Sequence, residues 1–152
     1  MNNGGMNQPG DLYPEPTRLN KYRYFFYEKH HRNGPSEDAQ WLGQPELSRD
    51  NEFQVFDDAD FHNIADTNGN LFCVRRKIDE SVPTLGTRGE QVAQFPVNNS
   101  STPWHGYPIW PILIRRDGDS LRPVEPDVLK IMVEANFIEQ NEKRRLLKGK
   151  HI

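Results

Sequence analysis

Three side chains that could bind a divalent metal ion stand at alternate positions: Asp58, Asp60 and His62. If the strand predicted for residues 52–56 continues through them, the three share one face, because successive strand side chains point to opposite sides. Two carboxylates and an imidazole on one face are suitable ligands for a cation that activates water. The spacing matches no closed metal motif, and a solvated acidic loop is the alternative interpretation.

Histidines at two places in the chain could supply a general base to this cluster. His30 and His31 end an aromatic stretch, and His105 follows a tryptophan. Histidine changes charge near neutral pH and is the usual general base in enzymes. Combined with Asp58, Asp60 and His62, any of these histidines would give a metal-dependent hydrolase of the nuclease or toxin kind, with a divalent metal as its cofactor. The alternative is that all three are ordinary hydrogen-bonded histidines beside aromatic rings.

Covalent catalysis has little support in the chain. The single cysteine, Cys73, excludes an intrachain disulfide and a cysteine-based zinc site. It lies between apolar residues in a predicted strand, where burial would make the thiol less reactive. The sequence contains no Gly-x-Ser-x-Gly nucleophile elbow and no glycine-rich phosphate loop.

A second candidate site is the aromatic–proline segment, residues 102–111, which contains three prolines together with Trp104, His105, Tyr107 and Trp110. Proline fixes φ and lacks a backbone N–H, so this segment cannot be helical and as a strand fits only an edge or a bulge. Trp104 and His105 follow a polar run and are predicted to be exposed. Exposed Trp and Tyr on a stiff backbone are typical of protein recognition, so these four residues are predicted to bind a protein partner. The alternative is that the rings, Trp110 above all, cover a thin core.

The basic residues near the end of the chain have two interpretations. Cations at the end of a helix complement its dipole, and this is the simpler one. The other is a weak nucleic-acid contact through Lys143, Arg144, Arg145 and Lys148. The chain as a whole is not a polycation, since 19 Lys and Arg against 22 Asp and Glu give a net charge of −3.

The helices and strands predicted to position these groups indicate an α+β fold, with a small, mostly antiparallel sheet and a C-terminal helical hairpin. Residues 1–20 are predicted to be a flexible arm, 21–125 a β-rich core, and 126–152 the helical hairpin of the same domain. The individual elements predicted are strands over 21–30, 52–56 and 91–97, a β-hairpin over 61–76 turning at Asn68-Gly69, a short helix from Ser36, and helices over 127–135 and 142–148 separated by Asn136.

The preferred functional hypothesis is a non-catalytic interaction or accessory protein. The helical pair from Leu129 resembles the short C-terminal helical hairpins of many bacterial proteins, which implies at most an attachment or oligomerisation element. No apolar run reaches membrane-spanning length, so no membrane association is predicted. A cytoplasmic protein of bacterial or phage origin, without a required cofactor, is therefore the expectation.

Overall fold

A computed structural model describes residues 22–31, 38–76, 79, 81–97, 103–114, 117–118 and 120–152. The predicted flexible arm over residues 1–20 and the predicted helix start at Ser36 lie outside the described residues, and residues 38–43, where that short helix was predicted to continue, are not helical. None of the helices in the described ranges is long and apolar enough to cross a membrane.

The main sheet of the described residues is antiparallel, and it contains β1 (Leu71–Val74), β2 (Val92–Phe95) and β3 (Tyr107–Ile109) in that spatial order. A separate two-stranded antiparallel ribbon is formed by β4 (Leu113–Ile114) and β5 (Ser120–Leu121). The four side chains of β1 are all buried, as expected for a strand covered on both sides. The predicted antiparallel sheet and α+β class are confirmed.

One long helix, α1 (Arg49–Phe61), replaces the predicted strand over 52–56. The first arm of the predicted β-hairpin is reduced to a single antiparallel bridge between Ala65 and Leu71. Ser48 caps α1, because its hydroxyl accepts the backbone N–H of Asn51 at 3.1 Å. The residues it buries recur at helical spacing, namely Glu52, Phe53, Val55, Phe56, Asp57 and Ala59. The strand prediction was wrong because five residues of alternating polarity also fit part of a helical face.

The turn between α1 and β1 keeps one predicted feature. Gly69 has φ +91°, the left-handed conformation that the Asn68-Gly69 pair predicts. The carboxylate of Asp66 accepts the backbone N–H groups of Asn68 and Asn70 at 2.9 and 3.0 Å. The turn therefore forms as expected, but it joins a helix to a strand instead of two strands.

The C-terminal helical hairpin is confirmed. It consists of α2 (Pro126–Glu134) and α3 (Gln140–Leu146), which pack against each other. Asn136 ends the first helix with φ +65°, as its position predicts. A capping box starts the second, in which the Glu142 carboxylate accepts the backbone N–H of Glu139 at 2.8 Å.

The core is rich in aromatic rings and lies between α1 and the sheet. Tyr24, Phe26, Phe56 and Phe95 are all fully buried. The Tyr24 ring lies 5.0 Å from Phe56 and 5.7 Å from Phe95, measured between ring centroids. Such pairs add stability beyond the area that they bury. Cys73 is buried in this core, as predicted.

Candidate functional site

Trp104 belongs to the core and not to the surface. Its side chain is 4% exposed, and its ring stacks on Tyr22 at 4.5 Å. Its backbone is also paired, since its N–H donates to Arg23 O at 2.8 Å and its carbonyl accepts the Phe25 N–H at 2.7 Å. The predicted exposure of Trp104 was wrong, because the polar residues before it do not determine which way an extended side chain points.

The residues after Trp104 alternate between the interior and the surface. Gly106 and Pro108 are buried, whereas His105 and Tyr107 are half-buried and lie on the other side. This alternation follows from the two-residue period of an extended backbone. β3 is at the edge of the sheet, where Pro108 pairs with Ala93. The predicted edge position of this proline-containing strand is confirmed.

Gly106 lies where the aromatic–proline segment packs closely against β2. The indole N–H of Trp41 donates to the Gly106 carbonyl at 2.9 Å. A Cβ at this position would lie 2.6 Å from Phe95 Cε1 and 2.7 Å from the backbone oxygen of Gln94. Both distances are far below van der Waals contact, so only glycine allows this close approach.

We expect Gly106→Ala to lower the free energy of unfolding by about 1–3 kcal/mol, the usual range for overpacking. The neighbouring atoms are a buried ring and a backbone oxygen, which cannot move aside easily. Gly43→Ala is the control, since a Cβ there meets nothing within 4 Å. Urea denaturation followed by circular dichroism measures both variants. Equal stability of the two would contradict the close packing at Gly106.

Trp110 contacts residues that are distant from it in the sequence. Its indole N–H donates to Arg88 O at 3.2 Å, and its ring lies edge-to-face on His151 at 4.9 Å. The His151 Nε2 atom in turn lies 2.8 Å from Gly89 O. These contacts leave Trp110 half-buried and hold residue 151 against the loop before β2, so much of this ring is not available to a partner.

The aromatic–imidazole surface is formed by Tyr27, His30, His105 and Tyr107. The two imidazoles are nearly parallel, 15° between planes, with centroids 6.1 Å apart. Tyr107 lies 5.0 Å from His30, and Tyr27 lies 4.9 Å from His105. Tyr27 is 37% exposed, and His105 and Tyr107 are half-buried. A 3₁₀ turn over Glu28–His30 and the aromatic–proline segment thus bring four rings together.

Several polar atoms of this surface have no hydrogen-bond partner among the described residues. His30 Nδ1 lies 2.8 Å from Ala39 O, so that nitrogen donates and Nε2 is the acceptor of the neutral ring. No residue in the described part of the chain makes a hydrogen bond to the imidazole of His105 or to the hydroxyls of Tyr27 and Tyr107. These groups can therefore bond to another molecule.

Burial favours the neutral form of both imidazoles, since His30 is 7% exposed and His105 is half-buried. Burial lowers the pKa of His30, against a smaller opposite effect of its bond to Ala39 O. Burial also lowers the pKa of His105, and the positive charge of Lys29 adds to this. Burial raises the pKa of Tyr107, so its hydroxyl remains protonated.

His31, the neighbour of this surface, lies in a buried polar network. Its Nδ1 is 2.6 Å from Tyr27 O and its Nε2 is 2.7 Å from Glu52 Oε1. Its side chain is 2% exposed and that of Glu52 is 1% exposed. The Tyr24 hydroxyl donates to the other carboxylate oxygen at 2.6 Å, and Arg49 Nη1 lies 3.3 Å from Oε1. Both His31 nitrogens are occupied, which does not support the predicted role of His31 as a general base.

The predicted metal cluster does not assemble as expected. Side chains two positions apart on a helix point about 200° apart, so Asp58 and Asp60 do not share a face of α1. Asp58 Oδ1 accepts from Gln54 Nε2 at 3.0 Å, and Asp60 Oδ2 accepts from the Tyr22 N–H at 3.2 Å. His62 is the C-cap of the helix. The described residues include no group of three His, Cys, Asp or Glu side chains placed to bind a metal ion. The prediction of a shared face was wrong because it assumed a strand.

The basic residues predicted to contact nucleic acid lie on or just after α3. Lys143, Arg144 and Arg145 occupy its last turn, and Lys148 follows it. Arg145 Nε donates to His151 O at 2.8 Å, which gives one of these cations a structural contact. Their role in nucleic-acid binding stays a prediction.

A cleft of about 570 Å³ lies between α1 and the residues that follow β1, apart from the aromatic–imidazole residues. Its lining residues are polar or charged except for Val55, although much of the surface that they expose in the cleft is apolar, and Asp58 is the one predicted site residue among them. The lining residues are Asn51, Gln54, Val55, Asp58, Arg75, Arg76 and Asp79.

The sequence analysis missed Tyr27 and Glu52, and it considered His30 only as a candidate general base. The available signal for Tyr27 and His30 was the dense aromatic stretch before residue 31. Glu52 carried none, because a glutamate in the first turn of a helix is ordinarily exposed.

The fold and the site together define an α+β protein in which Tyr27, His105 and Tyr107 surround the buried imidazole of His30, next to a buried polar network. No known protein family matches the chain, and no significant match was found among curated proteins or solved structures.

Proposed function

We propose that the protein is a non-catalytic interaction protein that binds a protein partner through the aromatic–imidazole surface. The observation that carries this proposal is the packing of Tyr27, His30, His105 and Tyr107, in which the two tyrosine hydroxyls and the His105 imidazole have no hydrogen-bond partner among the described residues. Two of the proposed binding residues, His105 and Tyr107, belong to the aromatic–proline segment. Tyr27 and His30 take the place of Trp104 and Trp110.

The rigidity of the surface supports binding. The segment that carries His105 and Tyr107 is held by the buried ring of Trp104, by the Trp41 bond to Gly106 and by pairing of β3 with β2. Rings fixed in this way lose little conformational entropy when a partner binds. Tyrosine also combines a large apolar face with a polar tip, which makes it frequent at interfaces.

The composition of the surface favours recognition over catalysis. The four residues include no nucleophile of the serine or cysteine kind and no carboxylate to orient an imidazole. His31, which has such a carboxylate in Glu52, is buried beneath them.

The experiment is affinity capture from an extract of the source cells, with a photoreactive amino acid at position 27. We expect one defined partner to crosslink at this position. Tyr27→Ala combined with His105→Ala should reduce its capture at least about tenfold, since loss of a hot spot costs about 2 kcal/mol or more.

Leu121→Ala is the matched control, because Leu121 is 43% exposed on the separate β4–β5 ribbon. It should retain the partner, and circular dichroism should show that both variants are folded. Equal capture by all three proteins, or a crosslink that forms from position 121 and not from position 27, would overturn the proposal.

A further inference from the structure

We infer that Gly89, Gln91 and Trp110 form a peptide-binding slot, which residues 151–152 of the same chain occupy as an internal ligand. The slot takes an extended segment in which a histidine precedes an aliphatic residue. When residues 151–152 leave the slot, a segment of the same kind from another protein takes their place. The slot shares no residue with the aromatic–imidazole surface and stands independently of the proposed function.

The side-chain amide of Gln91 pairs with the backbone of Ile152. Its Nε2 donates to Ile152 O at 2.9 Å, and its Oε1 accepts the Ile152 N–H at 2.9 Å. In extended backbone the N–H and C=O groups of one residue point to the same side, so one amide can pair with both. Nε2 also donates to Val82 O at 2.7 Å. Gln91 is 4% exposed, and an empty slot would therefore leave a buried amide oxygen without this partner.

The side chains of residues 151–152 fit the slot specifically. His151 Nε2 lies 2.8 Å from Gly89 O, and because a carbonyl only accepts, this nitrogen carries the proton. The imidazole lies edge-to-face on the Trp110 ring at 4.9 Å between centroids. Gly89 has φ +86°, and a Cβ there would lie 2.9 Å from His151 Nε2, so glycine leaves the room that the imidazole needs. Ile152 is half-buried and packs against the hydrophobic core.

Residues 151–152 can leave the slot without disrupting the sheet. They belong to no helix or strand, and they follow the turn at Gly149 after α3. β2 pairs with β1 and β3 through its own backbone, whereas residues 151–152 are held by the side chains of Gln91 and Arg145 and by Gly89 O. Opening of a short end segment with an exposed side chain requires less free energy than global unfolding.

The test uses the full-length variant His151→Gly with Ile152→Gly and the peptide acetyl-Gly-Lys-His-Ile. Two-dimensional NMR follows the Gln91 side-chain amide and the Trp110 indole N–H during the titration. In the wild-type chain the tethered residues compete at a millimolar effective concentration, so the variant should bind the peptide at least about tenfold more tightly than the wild type does. The peptide acetyl-Gly-Lys-Ile-His should bind the variant at least about tenfold more weakly, because its histidine cannot reach Gly89 O.

Two further substitutions in the double-glycine variant locate the peptide. Trp110→Ala should weaken acetyl-Gly-Lys-His-Ile several-fold, because the imidazole loses its ring contact. Phe61→Ala is the matched control, since this aromatic ring is 43% exposed on α1 and should not affect binding. No shift of either signal at peptide concentrations up to about 10 mM overturns the inference. Equal binding of the two peptides, or equal binding by the wild type and the double-glycine variant, also overturns it.

Amide hydrogen exchange of the wild-type chain tests the opening without any variant. We expect the Ile152 N–H to exchange at least about tenfold faster than the most protected amides of β2, at a rate that low urea concentrations do not change. Exchange of Ile152 only together with β2, through global unfolding, would make residues 151–152 a fixed part of the fold and would overturn the inference.

Discussion

Replacing Trp104 by alanine is expected to lower the free energy of unfolding by about 3–5 kcal/mol, the range for a buried aromatic ring in a core. The ring is 4% exposed, stacks on Tyr22 at 4.5 Å and lies 6.3 Å from Phe56. Its loss would leave a cavity beside α1 that the paired backbone on both sides cannot close. Urea denaturation followed by far-ultraviolet circular dichroism measures the change without relying on tryptophan fluorescence.

Trp110→Ala is the matched control for this prediction. The same ring is removed, but Trp110 is only half-buried and contacts His151 and Arg88 O. We expect a cost below about 2 kcal/mol, in the ordinary range for a single substitution. A Trp104→Ala protein as stable as the wild type would mean that the ring is not packed in the core.

Replacing Glu52 by alanine is expected to cost about 3–5 kcal/mol, because removing one partner of a buried ion pair leaves uncompensated charge. The imidazole of His31 and the guanidinium of Arg49 would lose their shared carboxylate, and the Tyr24 hydroxyl would lose its acceptor. Thermal and urea denaturation measure the loss.

Two further variants distinguish the contribution of the buried network to stability from other effects of acidic residues in the first turn of α1. Asp50→Ala removes an exposed acidic residue from the same first turn, and should cost under about 1 kcal/mol through the helix dipole. Tyr24→Phe keeps the ion pair and removes one hydrogen bond to the carboxylate, for about 1.5–3 kcal/mol. If Glu52→Ala costs no more than Asp50→Ala, the buried network does not contribute to stability.

The effect of Glu52→Ala on binding follows from the same contacts. His31 connects the carbonyl of Tyr27 to α1 through Glu52. Loss of this connection would release the turn that positions Tyr27 and His30. A fall in partner capture by this variant is therefore expected even under conditions in which it remains folded.

The helical hairpin and the tight turns were predictable from the sequence because their signals are local. Pro126 at the first helical position and Asn136 in the left-handed conformation mark the bounds of α2. Gly69 supplies its positive φ whatever elements it joins. The absence of a backbone N–H likewise restricts Pro108 to an edge strand in any fold.

The helix α1 was not predicted, although a signal was present. Residues 52–56 alternate in polarity and fit a short strand, whereas the burial pattern becomes helical only when Ala59 is included. Ser48 as a cap and the acidic residues after it were the local indication. Over five residues the two periods cannot be distinguished, so packing against β1 decides between them.

The sequence by itself determined where the chain turns, where its last helices begin and end, and that the aromatic–proline segment is extended. Only the tertiary structure decided which rings point inward, because in an extended segment one face is buried by whatever packs against it. It placed Trp104 under Tyr22, His105 beside His30, and Glu52 against His31. These partners are far apart in the chain, and their contacts form only when α1, the sheet and the residues around Tyr24 share one core.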